Sequence, residues 1–179
     1  AIGFEPSLPH RLGLQISGTP TGGVGRLPPV NPWFDFVPAG GAVTTTRDVA
    51  DEKSCNGCHG ILAVHGGSRT ETQYCVTCHT PAGSLGGASI DMKVMVHKIH
   101  RGKDLPSVVG GTPYKLGSAD FSHVGLPQSV KNCRTCHNGE TGATNLTTQG
   151  NNWRLMPTIS SWGGLRRGAS SPTLAPSPA

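Results

Sequence analysis

Apolar residues along this chain fall into short, separated groups, and only two kinds of spacing recur. Leu12, Leu14 and Ile16 alternate with polar neighbours and predict a strand, and Phe34 and Phe36 predict a short second one. Pro28, Pro29, Pro32 and Pro38 keep the rest of residues 1–43 irregular. The clearest helical pattern runs through 89–102. Met92, Met95, Val96 and Ile99 follow helical spacing between a Ser89 or Asp91 start, a basic last turn and a stop at Gly102. His97 and His100 lie three apart on that helix and so sit near one another on its surface. Beyond His137 the pattern turns polar, and the stretch from Gly168 to Ala179 is expected to be mobile or ordered only against a partner. The chain therefore divides into a loop-rich segment (1–43), a working segment (44–140) and a polar tail (141–179).

Composition sharpens the question of what fills the interior. Of 179 residues, 35% are apolar and 5% aromatic, while 26 are glycine and 15 proline, too little apolar bulk for an ordinary core. Something other than side chains is expected to fill it. No run approaches the ~20 apolar residues that span a bilayer, and no charged-then-apolar leader is present, so the chain is expected to be soluble and already trimmed.

The six cysteines settle which chemistry is in play. They form Cys55-Asn56-Gly57-Cys58-His59, Cys75-Val76-Thr77-Cys78-His79 and Cys133-Arg134-Thr135-Cys136-His137, each the attachment signature of a c-type haem. Two thiols three positions apart lie on one side of a helical turn, where they add across the two vinyl groups of one haem. The adjacent imidazole then reaches the iron. Every cysteine lies within a motif, so no lipid anchor on an N-terminal cysteine is expected. The first two pairs alone also fit a zinc-site spacing on Cys55, Cys58, Cys75 and Cys78. That reading leaves the third pair unexplained and makes the three following histidines accidental, a coincidence of roughly one in 10⁴ for random placement. Thioredoxin-like pairs would need a βαβ context that is missing, and disulfides across two residues are rare as structural bonds. Three haem c groups are expected.

Haem also revises the charge. The formal +5 omits two propionates per haem, and three haems shift the sum by roughly −3 when ferric and −6 when ferrous. The loaded protein is near neutral, and its basic residues lie among glycines without aromatic interleaving, which argues against nucleic-acid binding.

Five histidines remain for the sixth iron position. His97 and His100 are the first choices, since neither suits the middle of an amphipathic helix without a ligand to bind. His65, in a flexible Val64-His65-Gly66-Gly67 stretch, comes next, then His123 and His10. Such a surplus favours irons closed by two histidines, which suit electron transfer rather than catalysis. The alternative is a multihaem reductase with one open iron.

The residues also resemble a family, the extracellular multihaem cytochromes of the OmcA/MtrC decahaem type used by metal-reducing bacteria. The likeness runs through Phe34-Asp35-Phe36-Val37-Pro38, Thr45-Thr46-Arg47-Asp48-Val49, Cys55 to Gly67, Cys75 to Pro81, Lys93 to His100, and Phe121-Ser122 to Pro127 before Cys133. It covers roughly residues 30–140, with weaker similarity at His10 to Leu14. The resemblance implies that His65, His97 and His100 are distal ligands of low-potential, bis-histidine haems close enough for hopping. It implies about ten haems and flanking β-domains in a full member, whereas this chain has three motifs. Where a fourth would be expected stands Ile159-Ser160-Ser161-Trp162-Gly163-Gly164-Leu165, without cysteine.

The expected fold is thus a multihaem cytochrome, mostly irregular, with short α-helices at the motifs and over 90–101, a few short N-terminal strands and a core formed by haems. The expected role is extracellular or cell-surface electron transfer with other redox proteins, as the subunit of a homopolymeric filament or, as runner-up, a periplasmic shuttle. Replacing Cys58 by alanine is expected to leave two haems per chain by pyridine haemochrome assay and to destabilise the neighbouring segments.

Overall fold

The computed structural model of the chain describes residues 4–23, 25–44, 50 and 52–137. The expected tail 141–179, including 159–165, lies outside the described residues. Short elements dominate. Strands β1 (His10–Gly13), β2 (Ile16–Gly18), β3 (Leu27–Val30) and β4 (Trp33–Phe36) come first, followed by helices α1 (Glu52–His59) and α2 (Thr72–Cys75). A small hairpin, β5 (Ser84–Leu85) and β6 (Ala88–Ser89), leads into α3 (Met92–Arg101). A 3-10 turn at Gly102–Asp104, α4 (Pro106–Val109), a second hairpin of β7 (Lys115–Leu116) and β8 (Ala119–Asp120), and a 3-10 turn at Cys133–Thr135 complete the order.

The strands make four separate two-stranded antiparallel pairs. The run expected as one strand through Leu12, Leu14 and Ile16 is broken in two. β1 pairs with β4 while β2 pairs with β3, so the chain changes partner at Leu14 and Gln15. Pro28 and Pro29 lie inside β3, which a two-stranded pair tolerates because each strand has a free edge.

The β1–β4 register sets Arg11 opposite Asp35 and Gly13 opposite Trp33 on one face, with His10 opposite Phe36 and Leu12 opposite Phe34 on the other. The polar face is the one turned inward. Arg11 holds Asp35 through two 2.6 Å hydrogen bonds, donates to the carbonyl of Gln73 on α2 at 3.2 Å, and lies 4.6 Å from the centre of the Trp33 ring. Both side chains of the ion pair are largely covered, at 11% and 13% exposure. Gly13 packs so closely against Tyr74 that a Cβ there would stand 2.8 Å from its ring. The apolar face points to solvent, with Leu12 54% and Phe34 64% exposed.

A second tie runs from the β3–β4 connection. Asn31 is buried; its amide donates to the carbonyl of Ser68, and its oxygen accepts from the backbone N–H (2.8 Å) and hydroxyl of Thr70. The N-terminal hairpins are thereby docked on residues 68–74, between His65 and Cys75.

Helix α3 starts after Asp91 and ends at Gly102, whose φ of +25° takes the chain out of the helix. A Cβ at Gly102 would run into the carbonyls of Phe121 and Val124, so this close approach requires glycine. Lys103 N–H then bonds to Val124. No residue of α3 is buried, although its apolar stripe is well formed. Among the described residues the buried hydrophobic set is Cys75, Leu105 and Tyr114 alone.

The inward ion pair makes a stability prediction. Asp35→Asn leaves a covered guanidinium without its counter-charge and is expected to cost about 3 kcal/mol, read as a lower urea midpoint of the haem-loaded chain. Leu12→Ser, on the outward face, is expected to change stability by less than about 0.5 kcal/mol.

Candidate metal centres

Each Cys-x-x-Cys-His motif sits where the backbone is helical. Cys55, Cys58 and His59 lie on α1; Cys75 ends α2, and backbone bonds from Cys78 and His79 back to Cys75 continue the turn; Cys133 opens the last 3-10 turn, with His137 N–H bonded to its carbonyl. One turn of helix brings the two thiols to the same side and leaves the histidine adjacent. No disulfide joins any two of the six cysteines. Burial raises the pKa of the Cys75 thiol, and burial followed by the nearby Cys58 and Cys133 raises that of Cys136. The first and third motifs are therefore close neighbours in space.

Every motif histidine faces one histidine from elsewhere in the chain. The ring centres of His59 and His100 are 6.0 Å apart, those of His79 and His65 are 6.1 Å apart, and those of His137 and His97 are 6.1 Å apart. A metal–imidazole bond is about 2 Å long and the ligating nitrogen stands about 1 Å from its ring centre, so two imidazoles on opposite sides of one iron have centres about 6 Å apart. Their planes intersect at 72°, 39° and 18° in the same order. That spread is expected of axial ligands, since each ring turns freely about its own bond to the metal, whereas direct stacking favours particular tilts.

Hydrogen bonds fix which nitrogen is offered. The Nδ1–H groups of His79 and His100 donate to the carbonyls of Ile90 and Val96, each at 2.8 Å, and that of His97 donates to the carbonyl of Lys93. A carbonyl only accepts, so Nδ1 carries the proton and Nε2 keeps its lone pair for a metal. For His65, partial burial first, then the charges of Arg69 and His79, lower the imidazole pKa and favour the neutral form that ligates. The other two candidates stand apart. Nε2 of His10 bonds to the carbonyl of Glu5 at 3.0 Å and its ring lies between Phe4 and Phe36, while His123 is exposed, with Asp120 as its charged neighbour.

Cys55, Cys58, Cys75 and Cys78 do not converge: among the described residues no three or more His, Cys, Asp or Glu side chains gather into an ion's own ligand set. The donors are instead arranged two thiols and two imidazoles at a time, with the imidazoles facing across a gap one metal atom wide. That geometry fits a haem iron and not a bare zinc. Sequence spacing did not reveal the carbonyls of Lys93 and Val96 as partners, although any helical histidine stands one turn beyond such a carbonyl. Ile90 carried no signal.

These donor sets define a multihaem c-type cytochrome. The chain belongs to the outer membrane cytochrome family MtrC/MtrF-like, domains II/IV, whose profile matches residues 47–175. It is 31% identical over 165 residues to a multiheme cytochrome MtrC of Shewanella baltica (strain OS185), covering 90% of this chain and 21% of that protein. A crystal structure of MtrC from Shewanella baltica OS185 aligns at 25% identity with a TM-score of 0.48, over 86% of this chain and 27% of that one. The chain thus spans about a fifth of the length of its MtrC relative.

Proposed function

We propose that this chain passes single electrons along three covalently attached haems, each closed by two histidines: His59 with His100, His79 with His65, and His137 with His97. The observation that carries the reading is the common 6.0–6.1 Å separation of the three ring pairs, each joining a motif histidine to one outside the motifs. Cys55 and Cys58, Cys75 and Cys78, and Cys133 and Cys136 hold the porphyrins by thioether bonds. A bound haem supplies a one-electron ferric/ferrous couple. With the two histidines of each pair bound to it, a resting iron would offer no place for a substrate, which supports a carrier rather than a reductase. His123, exposed and beside Asp120, is left outside this ligand set.

The same pairs give an order to the relay. His97 and His100 are three residues apart on one rigid helix yet serve different irons, those of the third and first motifs. The nearness of Cys58 to Cys136 supports the same adjacency. His59 and His65, six residues apart, serve the first and second. The first haem is therefore the middle station, and electrons travel in the spatial order second, first, third. The porphyrins also fill the space that so few buried side chains leave, including that beside the uncovered stripe of α3.

The proposed location is extracellular or at the cell surface, with other redox proteins as donor and acceptor; a periplasmic shuttle is the runner-up. Among the described residues no helix is long and apolar enough to cross a membrane. Homopolymerisation into a filament is a second reading, supported by the outward apolar face of β1 and β4. It would proceed by surface contact rather than by exchange of ligands, since each motif histidine already has a partner within one chain.

Electron paramagnetic resonance of the oxidised protein tests the pairing. Imidazole planes near 72° leave the iron d orbitals close in energy and produce a highly anisotropic low-spin signal, whereas planes near 18° produce a rhombic one. His100→Ala is expected to abolish the anisotropic signal and leave the rhombic one; loss of the rhombic signal instead would reject the assignment. Light scattering and electron microscopy of the same sample decide the second reading, with a monodisperse monomer at high concentration excluding the filament.

A further inference from the structure

We infer that the second haem is a binding site for a small neutral diatomic ligand, because the imidazole of His65, unlike those of His97 and His100, has no hydrogen bond from the described residues to hold it. The inference rests on the pairing proposed above. His97 and His100 stand on α3, their backbones fixed by the helix and their Nδ1–H groups tied to the carbonyls of Lys93 and Val96. His65 stands at the tip of a tight loop. The base of that loop is secured by the Val64–Arg69 bridge, by Ser68 donating to the carbonyl of His65, and by buried Asn31 gripping Ser68 and Thr70. The His65 side chain is not. Among the described residues no hydrogen bond reaches its imidazole; the bonds at the tip are to the backbone, from Gly67 N–H to the carbonyl of Val64 at 3.1 Å and a long 3.5 Å contact from exposed Arg26 to the carbonyl of Gly66.

The tip backbone adds to the contrast. His65 is the sole non-glycine residue with positive φ among those described (+51°), and Gly66 and Gly67 follow at +73° and +79°. Left-handed histidine is disfavoured, and two glycines regain the most backbone freedom when a constraint is lifted. A ligand carried on such a tether has a lower effective concentration at the metal than one carried on a rigid helix. His65 therefore leaves the iron more readily than His97 or His100, while the secured loop base keeps it close enough to return. The exchange would balance without redox change: the iron–Nε2 bond of His65 would break, its imidazole would stay neutral, and the diatomic would donate its lone pair to the ferrous iron in its place. The chemical class is a π-accepting diatomic such as carbon monoxide or nitric oxide.

The test titrates dithionite-reduced, haem-loaded protein with carbon monoxide and counts adducts by the Soret difference spectrum. Haem content is measured in parallel as pyridine haemochrome. The expected result is about one carbon monoxide per three haems in the wild type and still about one in His65→Ala, which opens the same iron permanently, against about two in His100→Ala. No binding by the wild type, or two adducts in His65→Ala, would overturn the inference. A haemochrome count other than three per chain would instead overturn the reading on which it rests. The wild-type titration can overturn the inference by itself, and His65→Ala together with His100→Ala assigns the adduct to the second haem.

Discussion

Three pairs of imidazoles, each held one metal atom apart, set the conditions for everything else in this chain. An imidazole that is to meet a metal from a given direction needs its ring turned and its other nitrogen occupied, and for His79, His97 and His100 the chain meets both needs with main-chain carbonyls. Ile90, Val96 and Lys93 supply them, the last two from within α3 itself. The helix thus carries two of the facing imidazoles and the means of orienting them, which explains why a ten-residue element with no buried residue is nonetheless the centre of the arrangement. The N-terminal hairpins serve the same end from the other side. Through Arg11, Asp35 and Asn31 they fasten residues 68–74, the stretch that leads into the second motif.

Much of the working segment could be read from residues alone because its chemistry is local. Two thiols three apart and an adjacent histidine need only one turn of backbone, and α3 announces itself through Asp91, its periodic apolar residues and Gly102. The three outside histidines that the structure sets against the motif histidines are the three that the sequence ranked first. Which faces which was not legible, since His59 and His100 are joined by a fold and not by a spacing. The hairpins were harder for a different reason. Alternation at Leu12, Leu14 and Ile16 marks strand, but it does not show where the chain changes partner. It also invites the assumption that the apolar face is the inner one. Here the inner face is the charged one, because Arg11 finds both a carboxylate twenty-four residues away and a carbonyl on α2, and no local pattern encodes that meeting.

The sparse apolar interior belongs to the same logic. Side chains that would elsewhere pack on one another are left half covered along α3 and around the motifs, and a chain so rich in glycine and proline gains little from burying them. The proposed covalent attachment of a large flat cofactor would change that balance. It would supply apolar area without needing a deep pocket and let the polypeptide act as a set of short brackets. Folding and cofactor loading are then hard to separate, as they are for small metal-dependent domains.

The three-residue interval between His97 and His100 works as a ruler cut into the helix. Inserting or deleting one residue between them would swing one imidazole by about 100° around the helix axis and carry it away from its partner. Substitutions on the outer side of α3 disturb neither ring. Descendants of this sequence are therefore free to vary in letters along that helix but not in length, and a lineage that needs a different separation between the His59–His100 and His137–His97 pairs has to build a new element rather than stretch this one.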